Sequence, residues 1–434
     1  MKFFYSLSKR GYLLFAMLLT LSAALAQESD TLIDAFNLFQ DGKYAEALIA
    51  AKDLVQSDPG NADANMLLGR IYFALGELES AKTYVDIALG MDLGNPEYRE
   101  IRNNMAAFQS KLTEASRLIN SGDMEGAAKI YKEMITENPN FTDGYYNLAK
   151  VQVRLGQLDE ARQNFSKAIE MKPDEERYQK SYESSTNQFL ADGNQLLRRR
   201  NNKAALEKFQ NAVDLDPENY LAYYFLAVVY REENNYDAAL ESVNRSIEIN
   251  PEYPKAHLVK GKIYLKLKNI PEAQTAFQNA IELDENYIDA WNNLGNLYYQ
   301  TKQYEEAIPA YKKVIELKPD YATAYANLGA IEVDLKNYSE AIKYLKQAVE
   351  LRSNSYTSWY RLAQANNYQG KCAEAKEAAQ STLRIKANWA PALIELGIAE
   401  RCLGNRTEAR QAFQMAMRDP KWKKVAEFEL KTLE

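Results

Sequence analysis

The side chains of this 434-residue chain that could do chemistry are few, and most of them are amides. Asn292, Asn296 and Tyr299 fall at i, i+4 and i+7, one stripe of a helix, with Asn293 beside them. Asn327 follows, and then Tyr360, Arg361, Gln364 and Asn367. Side-chain amides both donate and accept hydrogen bonds, so such a row suits the backbone of an extended peptide. A second stripe is basic: Lys255, Lys262 and Lys266 stand at i, i+7 and i+11, with Arg198 and Arg231 at comparable places earlier. It could receive an acidic segment or a carboxylate; complementing a helix C-terminus accounts equally well for Lys266 and Lys268. Catalytic chemistry is nearly absent. The chain has one histidine, His257, and two cysteines, Cys372 and Cys402, which do not make the ligand cluster that a metal needs. It has no Gly-rich phosphate loop and no Gly-x-Ser-x-Gly. The expectation is a protein that is not an enzyme, with no cofactor and no metal site.

The elements that position these residues recur every 34 residues. Trp291, Leu294, Gly295 and Tyr298 lie on one helical stripe, Lys302 and Gln303 mark a turn, and Ala307, Tyr311 and Val314 form the stripe of a second helix. Small residues at Gly295 and Ala307 let the two helices approach closely, so each pair buries half a core and needs a neighbour. The pattern resembles the tetratricopeptide repeat, with Tyr311 in the place of its Phe and Pro319 closing the unit. Eleven units begin at Glu28, Ala62, Phe108, Thr142, Thr186, Tyr220, Pro254, Ile288, Ala322, Tyr356 and Ala390. The small residue opening the second helix is Ala in every one, from Ala47 to Ala409. His257 takes the position of Trp291 and Trp359, which marks it as a packed residue and not a general base.

The resemblance implies an all-α, right-handed α-solenoid whose first helices line a concave groove. The amide row then faces that groove in units eight to ten. The clamp by which relatives hold acidic chaperone C-termini, with Lys and Asn at the fifth and ninth positions of one unit, is not supplied by any three successive units. Residues 28–185 hold units one to four, 186–423 units five to eleven, and 424–434 a capping helix with Val425, Phe428 and Leu433 apolar. Two insertions extend the array: Asn95-Pro96-Glu97 opens a helix running to about Ile119, and Asp174 opens another toward Arg200. A bend near 96–110 and 176–190 and a pair of simply longer helices are both open on the sequence. Cys372 starts the second helix of unit ten and Cys402 ends the first helix of unit eleven, at one edge of the stack, so a disulfide between them is expected.

Lys2, Lys9 and Arg10 precede an apolar run from Tyr12 to Ala26 ending in Ala24-Leu25-Ala26, the features of a secretory signal peptide over residues 1–26. The run is shorter than the ~20 residues of a membrane span, so no membrane insertion is expected after cleavage. Cleavage removes three of the 53 basic residues and leaves 50 against 60 acidic ones, a net charge of −10. Nucleic acid is therefore not an expected partner. The reading is an exported scaffold, periplasmic first and extracellular second, that binds a protein or peptide partner. A saccharide-binding or exopolysaccharide-export subunit is the alternative, since Tyr and Asn can also stack on and bond to sugars. The sequence assigns no oligomeric state.

Overall fold

The computed structural model describes residues 30–433, so the proposed signal segment at residues 1–26 lies outside them. Those residues form helices and turns with no strand among them, in two compact units that divide between Asn219 and Tyr220. No helix among them is long and apolar enough to cross a membrane. Eight helices begin on the residues at which the 34-residue count starts a unit: Ala62, Thr142, Tyr220, Pro254, Ile288, Ala322, Tyr356 and Ala390.

What pairs the helices is one contact. The small residue at the centre of each first helix is a buried Ala in five repeats and a Gly in the other six, where it lies so close to a side chain of the second helix that a Cβ would crowd it. A Cβ on Gly397 would stand 2.4 Å from the Phe413 ring, and one on Gly261 2.5 Å from the Phe277 ring. At Gly295 the same position is 3.0 Å from the Tyr311 ring. The Ala facing each first helix, from Ala47 to Ala409, is fully buried in all eleven repeats.

The turn between paired helices is equally constant. Its left-handed residue is glycine at positions 42, 76, 122, 156, 370 and 404, with φ from 69° to 88°, and Arg200, Asn234, Lys268, Lys302 or Lys336 elsewhere, with φ from 58° to 65°. The residue after it donates its N–H back over the last turn, as Gln303 does to the Tyr298 carbonyl at 2.8 Å, which satisfies carbonyls the helix end would otherwise orphan. Lys302 and Gln303 are thus a left-handed cap.

The unit ending at Asn219 contains the two insertions. They form α5 (Pro96–Ser121) and α9 (Glu176–Arg198), each one unbroken helix. Asn95 caps α5 through its side chain, and no Pro or Gly follows Pro96 within it to bend it. The longer-helix alternative is therefore the one observed. The two helices are docked alike: the Tyr98 hydroxyl bonds Asp63 Oδ1, and 80 residues on the Tyr178 hydroxyl bonds Asp143 Oδ1 at 2.8 Å. The two inserted helices are thus docked in the same way on the repeats that precede them.

The unit beginning at Tyr220 is regular: α11 (Tyr220–Glu232), α13 (Pro254–Lys266), α15 (Ile288–Gln300), α17 (Ala322–Asp334), α19 (Tyr356–Tyr368) and α21 (Ala390–Cys402) are the first helices. The capping helix α23 (Lys423–Lys431) packs differently from the sequence reading. Val425 is 42% and Phe428 66% exposed, whereas Ala426 and Leu433 are buried. Leu430 and Leu433 reach the cluster of Ala409 and Phe413, while Ala426 and Trp422 join the one around Ala416. Cys372 and Cys402 are joined in a disulfide, with Cα atoms 5.8 Å apart.

A non-glycine residue at positive φ costs about 1–2 kcal/mol, less the roughly 0.5–1 kcal/mol of extra chain entropy that glycine loses on folding. Replacing Lys268, Lys302 and Lys336 together by Gly is expected to stabilise the fold by roughly 1–3 kcal/mol, read as a higher urea midpoint. The reverse change Gly370→Lys lowers it.

Candidate functional site

The amide row occupies four registers repeated along the first helices, one of them holding Asn292 and Tyr360. Asn293, Asn327 and Arg361 are one series at 34-residue spacing, and Glu395 is its fourth member. Asn296 and Gln364 belong to the series that Lys262 begins; Tyr299 and Asn367 belong to the series of Arg231. All nine residues of the row are half-buried.

They do different things. Tyr311 is fully buried up to its hydroxyl, which donates to Asn296 Oδ1 at 2.7 Å. Asn327 Nδ2 donates to the same oxygen at 3.1 Å and to the Tyr311 hydroxyl at 3.0 Å. A Tyr in the place of a core Phe brings a polar atom that must be paired, and these two amides pair it. Asn327, read from the sequence only as a member of the amide row, is thus also part of the repeat contact. Asn293 bonds only the Asp289 carbonyl of its own helix, at 2.7 Å. Arg361 spans Asp334 Oδ1 at 3.2 Å and Gln364 Oε1 at 3.1 Å, and the Tyr304 hydroxyl donates to the other Asp334 oxygen at 3.3 Å. Tyr299 lies with its ring 6.0 Å from that of Tyr304. Tyr360 meets Trp389 edge-on at 4.9 Å, and burial pushes its hydroxyl up to about 12.

Asn367 Nδ2 donates to the backbone carbonyl of Glu395 at 2.9 Å and to its Oε2 at 2.7 Å. Glu395 is only 8% exposed. Burial pushes its carboxyl up to about 7 against the opposing bond from Asn367, and the charge of Glu429 adds to the rise. Among the described residues the side-chain oxygens of Asn292, Asn366 and Asn367 are buried without a partner.

His257 is a structural residue. Its Nε2 lies 3.0 Å from the Pro251 carbonyl, and because a carbonyl only accepts, that nitrogen carries the proton. Trp291 Nε1 makes the same bond to the Glu285 carbonyl at 2.9 Å, Trp359 Nε1 to Ser353 at 2.8 Å and Asn65 Nδ2 to Pro59 at 3.2 Å. Each latches a first helix to the loop six residues before it.

Comparison with known proteins agrees with this geometry. Tetratricopeptide-repeat profiles match residues 38–105, 118–182, 190–254, 286–354 and 327–390, and a further TPR-repeat profile matches 261–302. The chain belongs to the tetratricopeptide-repeat family. It is similar to a DnaJ protein P58IPK homolog of Arabidopsis thaliana, 26% identical over 29% of this chain and 27% of the relative. A TPR repeat-containing protein of Methanocaldococcus jannaschii is 26% identical over 48% of this chain and 36% of its own length. The chain therefore spans about a quarter to a third of these relatives. Among solved structures, the C-terminal part of a TPR repeat-containing protein from Cytophaga hutchinsonii is 22% identical, with a TM-score of 0.47 over 56% of this chain and 99% of that one. The TPR protein YrrB is 22% identical, with a TM-score of 0.42 over 44% of this chain and all of that one.

Sequence reasoning missed Glu395, Asp334 and Trp389 in these tetratricopeptide repeats. Counting one repeat on from Arg361 finds Glu395, and Trp389 stands at the register of Tyr253, Tyr287 and Tyr321; no pattern singles out Asp334. The three lysines of the basic stripe separate, with Lys255 and Lys266 exposed and Lys262 half-buried. No group of His, Cys, Asp and Glu among the described residues could hold a metal ion.

Two outcomes follow from the buried polar groups. Asn327→Ala strips the buried Tyr311 hydroxyl of a partner and is expected to lower stability by about 1–2 kcal/mol in chemical denaturation, whereas adding Tyr311→Phe to it restores most of the loss. Glu395 ionises near its ordinary 4.5 when unfolded and near 7 when folded. The folded state then binds the extra proton between those values, so its contribution is full below about pH 4.5 and lost as pH rises through 7. Glu395→Gln is expected to gain up to about 3 kcal/mol over wild type at pH 8 and nothing at pH 4.5, which melting curves at the two pH values check.

Proposed function

We propose that this chain is an exported, non-enzymatic scaffold that holds a peptide or protein segment along the first helices of repeats eight to ten. The observation that carries the reading is the register series Asn293, Asn327, Arg361 and Glu395, on the same position of four successive first helices and partly or wholly withdrawn from water. A merely solubilising surface would leave such side chains exposed. Asn293 has only a bond within its own helix, so its remaining hydrogen-bonding capacity is open to a peptide backbone. Aromatic rings at Tyr299, Tyr360 and Trp389 supply apolar contact along the same row. The Cys372–Cys402 disulfide supports an oxidising compartment, consistent with the export features of residues 1–26.

The test is capture from an envelope extract on the immobilised full chain, followed by titration calorimetry with the segment recovered. Asn293→Ala is expected to weaken binding about fivefold, at about 1 kcal/mol for the lost bond, with an unaltered melting curve. Unchanged affinity in the normally folded variant overturns this site. An intact Met1 in protein purified from its own host overturns the export.

A further inference from the structure

The inserted helices α5 and α9 are docked alike, 80 residues apart, but what lies against them differs. Beside α9, Phe165 of α8 (Leu158–Met171) holds its ring 5.4 Å from that of Tyr182. The Tyr182 hydroxyl donates to the Leu215 carbonyl at 2.8 Å, and Phe189 joins the same cluster. At the equivalent positions beside α5 stand Val85 of α4 (Leu78–Met91), Arg102 and Gln109. Three rings are replaced by one small aliphatic and two polar side chains. In their place a cleft of about 270 Å³ lies between α4 and α5, walled by Phe73, Val85 and Met105 and edged by Arg102, Gln109 and Ser110.

The cleft has its cause in chain length. The small residue on which the next repeat packs is Ala115, 19 residues past Pro96, but Gly193, only 17 past Glu176. Two extra residues turn a helix by about 200°, so the following repeat closes on a different face of α5. Thr186, Leu190 and Gly193 are buried, whereas Ala106, Ser110 and Thr113, their equivalents, are exposed.

Walls and rim select the ligand. A cavity of roughly 150 Å³ already holds a benzene ring, so this one takes a single ring with a substituent. The site beside α9 shows that aromatic rings suit the space between such helices. Arg102 is bound through Nε, to Asp86 Oδ1 at 3.3 Å, and with its side chain 49% exposed its guanidinium plane is open to a ring. Arg70 already takes such a position, 5.1 Å over the ring of Phe39. The side chains of Gln109 and Ser110 have no partner among the described residues, so both can bond a hydroxyl on the ring.

We infer that the cleft between α4 and α5 is a binding site for a small phenolic molecule, its ring against Arg102 and the apolar wall and its hydroxyl on Gln109 or Ser110. The site is independent of the peptide-binding reading above.

The probe is para-fluorophenol, titrated with the full chain and followed by its fluorine resonance, with para-cresol and para-methylcyclohexanol as competitors. Saturable binding is expected, and para-cresol displaces the probe at a concentration at least about threefold lower than the saturated alcohol, since only an aromatic face attracts a guanidinium. Val85→Phe with Gln109→Phe installs two of the rings found beside α9 and is expected to weaken binding at least about tenfold, with melting unchanged or raised. Gln109→Phe with Ser110→Leu installs the Phe189 and Leu190 equivalents from the exposed rim alone, so the same loss is read without touching the core. No saturable binding by wild type, binding retained by either filled variant in its folded state, or equal displacement by the saturated alcohol overturns the site.

Discussion

The close approach of two helices over a small residue is the constraint on which the rest of the structure depends. Where Gly397 or Gly261 lies against a phenylalanine ring, no Cβ fits between, so the axes of the pair are held at one separation. Because every second helix contributes a fully buried Ala to the same contact, the separation is kept from repeat to repeat within each unit. Constant separation gives constant register, and register decides which side chains are spent on packing and which are left over.

The leftover side chains are not all free. Tyr311 shows how a packing position reaches into the candidate groove: its ring fills the place of a phenylalanine, and its hydroxyl then commits Asn296 and Asn327. In the next repeats the same registers hold Arg361 and Gln364, tied to each other and to Asp334, and then the buried Glu395, held by Asn367. Uncommitted capacity is concentrated on Asn293, whose one bond stays within its own helix. A binding row is therefore narrower than a list of polar residues suggests.

Departures from regularity are local and have local causes. Four of the eleven turns place Lys or Arg at a positive φ that glycine adopts with less strain, yet the backbone there is the same, because the carbonyls of the helix end must find a donor whichever residue turns the corner. The insertions change helix length and leave the pairing intact: α5 and α9 continue through the point where a new repeat starts, and each is tied down by a Tyr to an Asp of the repeat before it.

The sequence by itself determined the repeat, its phase, the buried Ala series, the positions of the turns and the role of His257. These are periodic, and a periodic contact between elements adjacent in the chain is written in spacing alone. It could not decide which residues of the amide row are committed, because Asn296, Tyr311 and Asn327 meet across two repeats and only their relative positions show that one hydroxyl needs both amides. Nor could it decide which face of α23 packs, since Val425 and Phe428 are as apolar as the residues that do; the docking angle turns Ala426, Leu430 and Leu433 inward. The same holds for Glu395 and Lys262. Their charge is plain in the sequence, but how far each is withdrawn from water, and beside which neighbour, is a property of packed helices and exists only in three dimensions.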